Sequence, residues 1–221
     1  MPKVFIGVGH GGSDPGAVSN NTKEKDLNLS IALACRDELK RHGISVKMSR
    51  TKDENDTLSE EIKECNAYSP DLAVDIHNNA GGGDGAEAFH HYGGGTSKTL
   101  AENILTEIVK VGQNSRGAKI RKNANGKDYY GFIRETSCPS VIIECAFVDN
   151  TTDLEILATE DKRKIVGQAV AKGILKTLGI EFQVESNILY RVQVGAFSVK
   201  ANAEAMQKRL KEAGFSSYIT K

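Results

Sequence analysis

The stretch Lys3-Val4-Phe5-Ile6-Gly7-Val8-Gly9-His10-Gly11-Gly12-Ser13-Asp14-Pro15-Gly16-Ala17 decides the fold. Its first six residues favour β structure and the rest is a glycine-rich loop, so a strand runs straight into a tight turn. Beyond it, Leu27, Ile31, Ala34, Cys35 and Leu39 recur at steps of three and four, the stripe of an amphipathic helix. His42-Gly43 ends that helix and residues 44–48 read as a strand. The same alternation continues: a short helix over 58–67, a buried strand over 71–76 running into His77, and a strand over 86–92. Leu100, Ile104, Ile108 and Val111 mark another helix, and 130–133 and 140–145 supply two more strands. A long helix with Ile165, Ala169, Val170, Ile174 and Leu178 on its apolar side stops at Gly179. Strands alternating with helices predict an α/β fold: an open, mostly parallel sheet with helices on both faces. In such sheets the working groups gather where strands end.

Past Gly179 the pattern changes. Residues 180–187 have no period and read as a linker. Tyr190, Val192 and Val194 alternate with Arg191 and Gln193, a half-buried strand. Ala203, Met206, Leu210 and Ala213 share one helical stripe, Gly214 caps it, and 215–220 is extended. The expected layout is a main domain over 1–179 and a β-α-β module over 188–221. A module of about 32 residues is too small to bury a core alone.

The chain has 221 residues, 39% hydrophobic and 26% charged, which excludes wholesale disorder. Lys+Arg and Asp+Glu both total 29, so no global field favours nucleic acid or an anionic membrane. Trp is absent and aromatics are 6%, which weakens base stacking. No apolar run has the length of a membrane span, and Met1-Pro2-Lys3 leads into a strand rather than a signal peptide. The expectation is synthesis in the cytoplasm without a signal. Cys35, Cys65, Cys138 and Cys145 form no C-x-x-C pair and read as small buried hydrophobes.

No G-x-S-x-G and no P-loop occur. Gly7-x-Gly9-x-x-Gly12 matches a dinucleotide fingerprint, but there a helix opens directly on the glycines. Here Asp14-Pro15-Gly16 intervenes and a His stands where phosphate must approach. The loop reads better as a metal scaffold. His10 ends the first strand, His77 ends a buried one, and Glu24 precedes the first long helix. Two imidazoles and a carboxylate leave one position open on a tetrahedral Zn²⁺, the pattern of catalytic zinc. Glu144 terminates Val141-Ile142-Ile143, where a charge is costly unless used or paired. Plainer readings stay open at this point: a hydrogen-bonded structural His, a solvated helix-start Glu24, an ion-paired Glu144. His90-His91 lies in a strand pattern with its rings on opposite sides, and both read as non-ligands.

Four ordered blocks carry a resemblance: Gly9-His10-Gly11-Gly12-x-Asp14-Pro15-Gly16-Ala17, Glu24-Lys25-Asp26-Leu27-Asn28-Leu29, Ile76-His77-x-Asn79-Ala80 and Ile143-Glu144-x-x-Phe147. Together they resemble the zinc-dependent N-acetylmuramoyl-L-alanine amidases of the Amidase_3 family, found in bacterial autolysins and phage endolysins. The resemblance spans about residues 1–179 and implies one Zn²⁺ per chain on His10, Glu24 and His77, with Glu144 as the catalytic carboxylate. It implies hydrolysis of the amide between N-acetylmuramic acid and L-alanine of the stem peptide in bacterial peptidoglycan. Asn79 is a candidate for orienting substrate. Two departures stand out: Asp75 where the family carries Ser, and Glu61 where it tends to carry Arg.

The tail, Tyr190-Arg191-Val192-Gln193-Val194-Gly195-Ala196-Phe197-Ser198 with Ala203-Glu204-Ala205 and Leu210-Lys211-x-Ala213-Gly214-Phe215, resembles the first half of a SPOR repeat. That implies wall binding, with Arg191 and Gln193 as candidate contacts, and a homodimer through 188–221 that completes the repeat. Such an enzyme reaches the wall through a phage lysis pore or by non-classical release. The rival readings are a zinc peptidase cutting within the stem peptide and a non-catalytic wall-binding protein.

Overall fold

A computed structural model describes residues 1–19, 21–184 and 192–220. The chain divides into two units, Met1–Gln183 and Val184–Lys221. In the first, β1 (Lys3–Val8) leads into a loop closed by the short hairpin of β2 (Val18–Ser19) and β3 (Thr22–Lys23). There follow α1 (Glu24–Arg41), β4 (Ser45–Met48), α2 (Leu58–Tyr68), β5 (Leu72–Asn79) and β6 (Ala86–His90). The unit continues with α3 (Thr96–Lys110), β7 (Ser115–Lys119), α4 (Gly131–Glu135), β8 (Ser140–Phe147), α5 (Thr151–Leu157) and α6 (Glu160–Thr177).

The sheet order is β4-β1-β5-β8-β6-β7. The first four strands are parallel; β6 runs antiparallel to β8 and parallel to β7. The sheet is thus mostly parallel with helices on both faces, as expected. Strands β1, β5 and β8 read as continuous apolar runs because both their faces are covered. One face places Val4, Ile6, Val74, Ile76, Val141 and Ile143 in the larger core with α1, α3 and α6. The other sets Phe5, Ala73, Phe89 and Ile142 against Ile62 and Cys65 of α2 and Phe132 and Ile133 of α4.

Local rules place the helix ends. Thr57 accepts from the Glu60 amide while the Glu60 carboxylate accepts from the Thr57 amide, a capping box that starts α2. Asn150 and Thr159 cap α5 and α6, and Gly179 takes φ 70° just past α6.

Two expectations are corrected, and one strand is unanticipated. Residues 130–133 are not a strand but the start of α4. Phe132 and Ile133 are consecutive and both enter the smaller core, which a strand's alternation would forbid. Ile165 is 47% exposed; Val166 takes its place on the buried stripe of α6. Strand β7, Ser-Arg-Gly-Ala-Lys, carries no apolar alternation because it is the sheet edge, where polar residues discourage further pairing.

In the second unit, α7 (Lys200–Glu212) forms as expected and buries no residue. Gly214 takes φ 86°, and the Phe215 amide donates to the Leu210 carbonyl at 2.9 Å. The strands expected on either side of this helix do not form among the described residues: 192–199 and 215–220 carry no ladder. Val192 and Val194 are 86% and 54% exposed, and two short strands without a covering face gain too little burial to persist. Tyr190 and Arg191 lie outside the described residues.

Candidate metal centre and active site

On the face covered by α2 and α4, the apolar layer gives way to polar side chains at the C-terminal ends of β1, β5 and β8. Period two puts Asp75 and His77 on that face of β5, and Glu144 pairs in register with His77 from β8. Glu87 of β6 pairs with Glu144 from the other side. The crevice forms where β4 and β5 leave β1 in opposite directions, the switch point expected to hold a site.

The glycine loop delivers His10 to the same corner. His10 itself takes φ 62°, a left-handed conformation that costs a residue with a Cβ and persists only where its surroundings enforce it. Those surroundings are visible. Fully buried Arg50 donates Nε to the Val8 carbonyl at 3.1 Å and Nη2 to the Lys25 carbonyl at 2.8 Å. Lys25 Nζ donates to the Gly12 carbonyl and to Asp53, stapling the loop. Gly9 is needed for space, since a Cβ there would lie 2.1 Å from the His77 ring.

Glu24 opens α1, where the helix N-terminus favours a carboxylate. Its Oε2 accepts from the Ala17 amide at 2.9 Å, and its Oε1 accepts from the Asn78 amide at 3.2 Å. His10 Nε2 lies 3.2 Å from Glu24 Oε2 and His77 Nδ1 lies 3.1 Å from Glu24 Oε1. One donor atom from each of His10, Glu24 and His77 falls within 4.8 Å of the others, so these three could hold a metal ion. Burial alone would raise Glu24, but the bonds from His10 and His77 outweigh it and hold its carboxyl well below the usual range. A carboxylate and two imidazoles converging on one point suit a dication, and the set fits zinc.

Glu144 stands beside this cluster with Oε2 buried and unpartnered among the described residues. Burial pushes its carboxyl up to about 7, against the pull of His77. A carboxyl poised there can both take and return a proton at neutral pH. Glu87 is held by Arg116 at 2.7 Å and by Lys119, and its Oε1 accepts from Asn79 Nδ2 at 3.0 Å. Burial and then the Asp75 carboxyl hold Glu61 well above the ordinary range.

The structure therefore brings His10, Glu24, His77 and Glu144 together, with Asn79 two residues beyond His77 on β5. Gln193 lies in the second unit, exposed, and Arg191 lies outside the described residues. His90 Nδ1 meets the His91 carbonyl and His91 pairs with Asp128, away from the cluster. Sequence reasoning missed Arg50, Lys25 and Glu87. For Arg50 and Glu87 the only signal is a charged side chain that follows or interrupts an apolar run, and Lys25, in a polar stretch, carries none.

The family described as N-acetylmuramoyl-L-alanine amidase matches residues 4–176, and the SPOR domain family matches residues 171–221. The chain is 38% identical to the N-acetylmuramoyl-L-alanine amidase CwlM of Bacillus licheniformis, across 99% of this chain and 85% of that protein. It is 35% identical to a sporulation-specific N-acetylmuramoyl-L-alanine amidase of Bacillus subtilis, across 99% and 84%. Among solved structures, the catalytic domain of CwlV from Bacillus (Paenibacillus) polymyxa superposes with a TM-score of 0.73 at 29% identity, covering 82% of this chain and all of that one. Cwp6 of Clostridium difficile gives 0.79 at 39% identity, over 80% of this chain and 29% of its own. The matched family spans all four candidate site residues and nearly all of the sheet that positions them, and this chain belongs to the N-acetylmuramoyl-L-alanine amidase family.

Proposed function

We propose that this amidase works with one Zn²⁺ per chain on His10, Glu24 and His77, and with Glu144 as its general base. The bond cleaved joins N-acetylmuramic acid to the L-alanine of the peptidoglycan stem peptide. When bound, the metal supplies Lewis-acid polarisation of the scissile carbonyl and lowers the pKa of water. The chain's own groups do the rest. Glu144 Oε2 takes a proton from the attacking water and returns it to the leaving amine. Glu87, fixed by Arg116 and Lys119, holds the β6 side of the crevice. Asn79 uses Nδ2 on Glu87 and Oδ1 on the Ala80 amide, which supports a bracing role over direct substrate contact. The observation that carries this reading is the register pair His77–Glu144, a ligand and a raised carboxyl side by side.

The second unit supports wall attachment through the SPOR match, with Gln193 and Arg191 as contacts. Its exposed Val192, Val194 and Phe215 favour a homodimer through 188–221. No helix among the described residues is long and apolar enough to cross a membrane. The place of action is the cell wall.

Digestion of purified cell wall tests the reading. New L-alanine amino termini without new reducing ends are expected. Amines from other residues would establish a peptidase, and no release at all a binding protein.

A further inference from the structure

Glu61 of α2 and Asp75 of β5 are 6% and 3% exposed. Glu61 Oε1 and Asp75 Oδ1 each lack a hydrogen-bond partner among the described residues. Buried carboxyl oxygens left so are costly and call for an explanation. The two oxygens share one spot. A Cβ on Gly7 would lie 2.1 Å from Glu61 Oε1 and 2.7 Å from Asp75 Oδ1, so both stand over the same bare backbone. Among the described residues no Lys or Arg pairs with either carboxyl; the one side-chain partner is His77, whose Nε2 lies 3.1 Å from Asp75 Oδ2. A proton on Glu61 would satisfy both oxygens at once, Glu61 donating and Asp75 Oδ1 accepting.

We propose that Glu61 and Asp75 form a positioning pair beneath the metal centre. Glu61 fixes the Asp75 carboxyl, whose Oδ2 accepts from His77 Nε2–H, so that Nδ1 is the nitrogen His77 turns to the metal. Across the site Asp14 Oδ2 meets His10 Nδ1 at 2.8 Å, which leaves Nε2 of His10 facing Glu24. The two imidazoles thus present different nitrogens, each oriented by its own carboxyl. The inference about His77 rests on the reading of His10, Glu24 and His77 as metal ligands; the Glu61–Asp75 pair itself does not.

The test has two arms on the full-length chain. In the metal-free protein with labelled glutamate, infrared spectra at neutral pH should show a protonated-carboxyl band that Glu61→Gln removes and Glu144→Gln leaves. Absence of such a band overturns the pair. In the zinc-loaded protein, imidazole nitrogen spectra should show a proton on His77 Nε2 and a metal-bound Nδ1. Zinc affinity should fall about tenfold in Glu61→Met, the scale of a lost ligand-orienting contact. It should stay within about threefold in Glu61→Gln, whose amide can still donate to Asp75. Binding of His77 through Nε2, unchanged affinity in Glu61→Met, or a second zinc between the two carboxyls each overturns the positioning role. A chain that shows the Glu61 band but takes up no zinc leaves the pair standing and defeats the metal reading instead.

Discussion

Strand β5 does different work on its two faces. Leu72, Val74 and Ile76 enter the larger core and are at most 2% exposed. Ala73, Asp75 and His77 face the smaller layer, which begins apolar and ends in ionisable groups. Three of the buried oxygens left unpartnered among the described residues, on Glu61, Asp75 and Glu144, belong to this second face. The face of the larger core carries one such atom among the described residues, Asn78 Oδ1, at the C-terminal end of β5. One strand therefore draws stability from one side and spends part of it on the other, where reactive groups must stay incompletely satisfied.

That contrast can be broken, and the largest effects fall on the polar face. Removing metal with a chelator should abolish lysis and added Zn²⁺ should restore it, read as clearing of a cell-wall suspension. His10→Ala and His77→Ala should lose bound zinc, measured by metal analysis. Glu144→Gln should keep zinc and fold yet lose turnover by at least ~10². Loss of zinc in that variant would mean that Glu144 belongs to the ligand set.

On the opposite face the effect should be stability without chemistry. Leu72→Ala should cost about 2–5 kcal/mol in urea denaturation, the range for a buried Leu, while zinc affinity stays within about threefold. A matching loss of affinity would show that the two faces are coupled.

A pH series sharpens the comparison further. Glu144 sits at about 7 in the fold, against roughly 4.3 when unfolded. Between these values the folded chain holds the extra proton, so this group lowers stability as pH rises. In metal-free protein, Glu144→Gln should raise the melting temperature at pH 8 and leave it unchanged at pH 4. The reverse order would mean that burial does not govern this carboxyl.

The smallest effect belongs to the second unit. Replacing Val192 and Val194 by Ser should move the melting of the first unit by no more than about 0.5 kcal/mol, because both are exposed. The same change should dissociate the proposed dimer, seen by light scattering. A wild-type chain that is monomeric at micromolar concentration ends the dimer.

Much of the fold was legible in local pattern. The stripes of α1 and α3 and the apolar runs of β1, β5 and β8 follow from burial of one helix face or of both sheet faces. Where pattern misled, tertiary packing had overridden it. Phe132 and Ile133 look like strand residues and form a helical turn because one core takes both. Val192 and Val194 alternate like a strand, yet form no ladder among the described residues.

By itself, the sequence determined the alternation of strands and helices, the glycine loop that presents His10, and the residue types able to hold a metal. It carried the ligand set only through resemblance, since His10, Glu24 and His77 are separated by 14 and 53 positions. Only the tertiary structure brought their donor atoms within 4.8 Å, set Glu144 against His77, and buried Glu61 and Asp75 over the same glycine. The reason is that distances across strands depend on sheet order and register, which non-local burial selects and no local period encodes.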